Sequence, residues 1–166
     1  MSLESQQEKI ERYLDDAIAL EAASILALKD MATDAVSHDE TLLYQAHHTE
    51  SESQKQRLEA RLMALGGASE RLGLKDMMNR IGTAATNLLH AGKNDVEKDT
   101  RNLLQAYAME SLEVAVYEAL YTAAETSGDA ETALLAREIQ AEESAMAQQI
   151  FARIAPSSTV SVRAAA

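Results

Sequence analysis

The chain has 166 residues, 46% of them hydrophobic, and a formal net charge of −12. That charge argues against nucleic acid, which needs clustered Lys and Arg, and against an anionic membrane surface, while leaving cations as ligands. The absence of cysteine excludes disulfides, thiol catalysis, Fe–S clusters and Cys-type zinc sites.

One proline, Pro156, and six glycines over this length point to an all-α chain forming one domain with a real core. No run of about 18 uncharged apolar residues is present, so no membrane span is expected. The first residues lack a basic-then-apolar targeting pattern, and the expectation is a cytoplasmic protein.

The first helix opens near Ser5, where Ser5 and Glu8 fit a capping box. Leu14, Ala17, Ile18, Ile25, Leu28 and Ala32 recur at helical spacing, and Glu21 stands on that stripe where a leucine is expected. Ser37 with Glu40 reads as a second capping box opening the second helix, and the short connection predicts an antiparallel hairpin. That helix stops at Gly66 and Gly67. Between Gln45 and Arg57 it carries no apolar side chain larger than Ala46. Either it lies in water over more than three turns, or its inner face points polar groups into the bundle. His47 and Glu50 are three apart and share a face, as an imidazole and a carboxylate offered to one metal would. His48 points about 100° away from His47 and reads as exposed.

Residues 66–94 form a long connection with a short helix over 74–91, in which Met77 and Met78 read as core; His38 and His90 sit near helix ends. The third helix, 95–126, has the stripe Leu103, Tyr107, Glu110, Val114, Tyr117 and Tyr121, with Glu113 close by. The fourth, 129–155, follows a Ser127-Gly128-Asp129 turn and is expected to stop at Pro156. Its stripe holds Leu135, Ile139, Glu142 or Glu143, Met146 and Ile150. The domain is thus 1–156, followed by a disordered tail at 157–166. Two antiparallel hairpins joined by a long crossover make a ferritin-like four-helix bundle. An internal repeat supports it: Leu14, Ala17 and Glu21 match Leu103, Ala106 and Glu110.

Each long helix therefore places a carboxylate on its apolar face: Glu21, Glu50, Glu110 or Glu113, and Glu142 or Glu143. Counted from the hairpin turns, they fall within a turn or two of one height. Bare carboxylates at that depth are costly, and bound divalent cations would resolve the cost. Glutamates with an imidazole suit iron or manganese, with zinc also possible. Tyr44, Tyr107, Tyr117 and Tyr121 are placed to hydrogen-bond the carboxylates from behind. Against this stands the simpler view that each glutamate lies at the edge of its stripe, in solvent.

Leu14-x-Asp16-x4-Glu21-x6-Leu28-x2-Met31-Ala32 resembles the first helix of the YciE/YciF stress-related ferritin-like proteins. His47-x2-Glu50-x-Glu52-x-Gln54-x2-Arg57-Leu58-Glu59 is similar to their second. Glu110-x2-Glu113-x3-Tyr117 and Glu142-Glu143 are similar to the third and fourth. The resemblance covers residues 10–154. It implies a homodimer with two iron ions per bundle, held by Glu21, His47, Glu50, Glu110 or Glu113, and Glu143, with Gln54, Tyr107 and Tyr117 behind them. It also implies a ferroxidase or peroxide-consuming role in stress, with dioxygen or hydrogen peroxide as reactant. Two features depart from the wider ferritin-like pattern: the second helix reads His-x-x-Glu, and the fourth has Met146 where a histidine would complete Glu-x-x-His. The alternatives are a non-catalytic metal-binding protein and a structural or partner-binding bundle.

Overall fold

The ends of the helices are built from local sequence, and they fix the topology. The computed structural model describes residues 5–67 and 95–164, in four helices: α1 (Gln6–Asp34), α2 (His38–Ala64), α3 (Asp95–Ser127) and α4 (Ala130–Ala164). The short helix expected at 74–91, with Met77, Met78 and His90, lies outside the described residues.

The Ser5 hydroxyl accepts from the Glu8 N–H at 3.1 Å and the Glu8 carboxylate accepts from the Ser5 N–H at 2.7 Å, so the first capping box is complete. The second is not formed. Ser37 has extended backbone but its side chain caps nothing. Asp99 of α3 takes over instead, accepting from the Val36 N–H at 2.8 Å and the Ser37 N–H at 3.1 Å. The N–H that Glu40 would have reached is thereby occupied, and Glu40 is buried beside Asp99. At the far end of α2, Gly66 adopts φ +90, and the Gly66 and Gly67 N–H groups donate to the Met63 and Leu62 carbonyls at 3.0 Å each. That pairing ends a helix through a left-handed residue, where glycine carries no Cβ penalty.

Contacts between the ends give the direction of each helix. Gln7 at the start of α1 donates to the Leu65 carbonyl at 2.9 Å. Arg61, near the end of α2, pairs with Asp129 of the α3–α4 turn at 2.6 Å. Asp99, at the start of α3, lies instead at the α1–α2 turn. So α2 and α3 run in the same direction, and the end of α2 and the start of α3 stand at opposite ends of the bundle. For a 27-residue α2 that separation is roughly 40 Å. The packing is greatest within the two hairpins, α1–α2 and α3–α4.

α4 corrects the expected tail. It runs through Pro156 to Ala164. Proline removes the N–H that would have bonded the Ala152 carbonyl, but both residues are exposed, so water can satisfy that carbonyl. Beyond the proline, Ser158 and Thr159 donate to the Ile154 and Ala155 carbonyls, and the Ser157 and Thr100 hydroxyls lie 2.8 Å apart, tying the extension to α3.

The core is two apolar clusters with a gap between them. The lower one centres on Leu14, Ile18, Leu58, Tyr117, Leu120 and Ile139, and the upper on Leu28, Met31, Leu43, Leu103, Met109 and Ile150. At mid-height most inward positions are polar, with Leu20 and Ala23 of α1 the apolar exceptions. No helix among the described residues is long and apolar enough to cross a membrane.

Candidate metal centre

The polar stretch of α2 resolves in favour of an inward face. His47, Ser51 and Gln54, spaced i, i+4 and i+7, are all buried, so the stripe continues with polar residues in place of apolar ones. Opposite them stand Glu21 and Ser24 of α1, Glu110 and Glu113 of α3, and Glu143 of α4. The four glutamates are 0% exposed and His47 is 1% exposed. The repeat between α1 and α3 is visible here, with Glu21 and Glu110 each four residues after a buried alanine, Ala17 and Ala106.

His47 Nε2 lies 3.4 Å from a Glu110 oxygen and 3.6 Å from a Glu143 oxygen. One donor atom from each of the three falls within 4.8 Å of the others. Two donors about 2.1 Å from a shared ion stand about 3.0–3.4 Å apart at octahedral or tetrahedral angles. The three side chains are therefore placed as ligands of one ion would be, with little adjustment. Behind them, the Tyr117 hydroxyl donates to Glu21, and the Ser24 hydroxyl donates to Glu113 at 2.5 Å.

The electrostatics among the layer's own side chains are unfavourable. Burial, and then the charge of Glu143, push the Glu21 carboxyl up to about 8. Burial, Glu113 and Glu143 push Glu110 up to about 12. Burial, Glu21 and Glu143 raise Glu113 well above the ordinary carboxyl range. Burial and Glu21 likewise raise the Tyr117 phenol, keeping it a proton donor. Polar atoms are also left without partners: one oxygen each of Glu21 and Glu113, both oxygens of Glu110 and Glu143, and both His47 nitrogens. Buried groups of this kind are nearly always satisfied in folded proteins. Acceptors converging in excess of donors fit a divalent cation.

The other candidates fall around this layer. Glu50 is half-buried, its carboxyl raised by burial and held down by nearby His47, and it lies outside the three-residue group. Glu142 is engaged by Arg57, and by Gln54 at 3.1 Å, on the partly exposed α2–α4 side. Tyr107 packs on Phe151 with ring centroids 5.3 Å apart, beside the upper cluster. Tyr44 is buried near Glu40 and Asp99, and Arg137 lies over the Tyr121 ring at 3.6 Å. His48 faces Glu52 at 3.8 Å and His38 is exposed. Ser24 and Ser51 went unmarked in the sequence. The signal for Ser51 was the i, i+4, i+7 run from His47, and for Ser24 its place three residues after Glu21.

The fold and this layer define a ferritin-like four-helix bundle with a buried histidine–glutamate group that could hold a metal. The chain belongs to the family described as "Domain of unknown function (DUF892)", matched over residues 5–162. No curated protein matches it in sequence. Among solved structures, the E. coli stress protein YciF superposes with a TM-score of 0.82 at 20% identity, covering 95% of this chain and 99% of that one. A protein from Xanthomonas campestris pv. campestris gives 0.73 at 23%, covering 95% and 94%. YcfI from Rhodopseudomonas palustris gives 0.73 at 20%, covering 88% and 92%. The first of these agrees with the YciE/YciF resemblance drawn from the helix motifs.

Proposed function

We propose that the layer is a dinuclear metal centre holding two iron ions, and that the protein is an oxidoreductase that oxidises iron(II) or consumes peroxide. Charge balance carries this reading. Four buried glutamates, ionised, with a neutral His47, total four negative charges, and two divalent cations cancel them. One ion would be held by His47, Glu110 and Glu143, and a second by Glu21, Glu113 and Glu143. An oxygen-rich set with one imidazole suits iron or manganese better than zinc, which favours tetrahedral nitrogen and sulfur ligands. Paired iron ions supply two electrons to dioxygen or peroxide. Tyr117 and Ser24 orient Glu21 and Glu113 by hydrogen bonds, and the apolar clusters above and below keep bulk water out.

The test is metal analysis after anaerobic loading with iron(II), on the wild type, Glu110→Gln and Glu142→Gln. The expected result is two ions per chain in the wild type and in Glu142→Gln, with loss in Glu110→Gln. No bound metal in the wild type overturns the centre. Two bound ions without dioxygen or peroxide consumption overturn the catalytic role and leave a metal-binding protein.

A further inference from the structure

Every proposed ligand is buried, so whatever reacts there needs a way in. A groove of about 360 Å³ runs between α1 and α3. One stripe of each helix forms its walls: Ala23, Ala27 and Met31 from α1, Asn102, Gln105 and Met109 from α3. The alanines are too short to fill the space between the helices, which is why it stays open. The outer end carries Asp30 and Asp34, both exposed, and Arg101. The inner end is Ser24, whose hydroxyl is bonded to Glu113 of the layer. From Asp34 to Ser24 is ten residues of helix, about 15 Å.

The chemistry of the walls indicates what this path carries. Charges stand only on its more exposed rim, which also carries Leu26, 44% exposed. Inward, the polar groups are neutral: the Gln105 amide, the Asn102 amide with its nitrogen unpartnered, and the Ser24 hydroxyl. A divalent cation moving inward would lose hydration with no carboxylate to replace it before Glu113. A small neutral molecule has no such cost and can hydrogen-bond to the amides. A carboxylate better suited to an incoming cation is Glu50, half-buried on α2, near His47 and Glu143 and outside this groove.

We propose that the α1–α3 groove is the access path for a small uncharged oxidant of the peroxide class, with Ser24 as its inner gate. The proposal rests on the reading of the layer as a redox centre, yet it can be tested without metal.

The methionines provide that test. Met31, Met109 and Met146 are 4%, 4% and 5% exposed; the first two line the groove and Met146 does not. Met63 is 76% exposed. Hydrogen peroxide converts a thioether to a sulfoxide: the sulfur gives two electrons, an S–O bond forms, the O–O bond breaks, and water leaves. Metal-free protein is treated with hydrogen peroxide and each methionine followed by peptide mass spectrometry. The expected order is Met63 first, Met31 and Met109 next, Met146 last. In Ala27→Phe, which plugs the groove, Met31 and Met109 fall to the rate of Met146 while Met63 is unchanged. Wild-type Met31 and Met109 as slow as Met146 would overturn the path, and so would unchanged rates in the plugged variant. Absence of bound iron bears on the centre alone, so the two failures are told apart.

Discussion

Two groups of buried acids lie in this bundle, and they are satisfied in opposite ways. At the upper end, Glu40 and Asp99 are 7% and 8% exposed. Asp99 spends its charge on two backbone N–H groups of the α1–α2 turn, while the Glu40 carboxyl beside it is raised by burial and by Asp99 and keeps one oxygen without a partner. Arg153 of α4 adds a positive charge nearby. This end is joinery, in which one carboxylate holds three helices in register. At mid-height the glutamates have two hydroxyl donors between them and many lone pairs left over. Burial alone does not mark a functional acid; the lack of a reason within the protein does.

The largest effect that could break this comparison is on metal content. His47→Ala or Glu143→Gln is expected to abolish stoichiometric iron binding, read by elemental analysis. Glu40→Gln, at another buried acid, leaves it unchanged. Stability should move the other way. Glu110→Leu in the metal-free protein is expected to raise unfolding free energy by about 1–4 kcal/mol, because an uncompensated buried polar group is replaced by apolar packing. Asp99→Ala is expected to lower it by about 2 kcal/mol, since two turn N–H groups lose a charged acceptor. Urea titrations of the two variants check the signs, and a destabilised Glu110→Leu would show the layer to be structural.

Protons sharpen the contrast next. Glu40 is pushed up to about 7 by burial and by Asp99, and Glu21 up to about 8, against an ordinary value of 4.5. Both are raised in the folded state, so the folded protein binds protons more tightly than the unfolded chain. Their contribution to stability is complete below pH 4.5 and is lost as pH rises through 7 and 8. Metal-free protein should therefore melt at lower temperature at pH 8.5 than at pH 6. Glu40→Gln removes the part of that loss centred near 7. Iron loading makes the central acids give up their protons, so it should release protons, measurable in weakly buffered solution.

The four long helices, the stop of α2 at Gly66 and Gly67, and the inner-stripe glutamates of α1 and α3 were legible in the sequence because helical period fixes which residues share a face. Glu21 and Glu110 could be paired from their matching Leu-x2-Ala-x3-Glu settings. The rest depended on surroundings that the local sequence does not specify. The Ser37 cap is displaced by Asp99, 62 residues away. The helix persists past Pro156 because the orphaned carbonyl faces water, which no local rule specifies. Glu142 and Glu143 are neighbours about 100° apart on one helix, so a small rotation decides which one faces in. Glu50 was favoured by its spacing from His47, whereas the helix turns Ser51 and Gln54 further inward.

That rotation leads to the smallest expected effect. Glu142 meets Arg57, with both side chains about a third exposed, and Gln54 also donates to it. An ion pair so open to solvent contributes less than about 1 kcal/mol. Glu142→Gln should therefore shift stability by no more than that and leave iron stoichiometry at the wild-type value. The neighbouring Glu143→Gln should remove the metal, although it differs in sequence by a single position. If the two variants lose iron equally, Arg57 cannot be the principal partner of Glu142, and the centre extends to the α2–α4 face. If only Glu143→Gln loses it, the orientation of α4 sets the ligand, and that orientation does not depend on the Glu142–Arg57 pair.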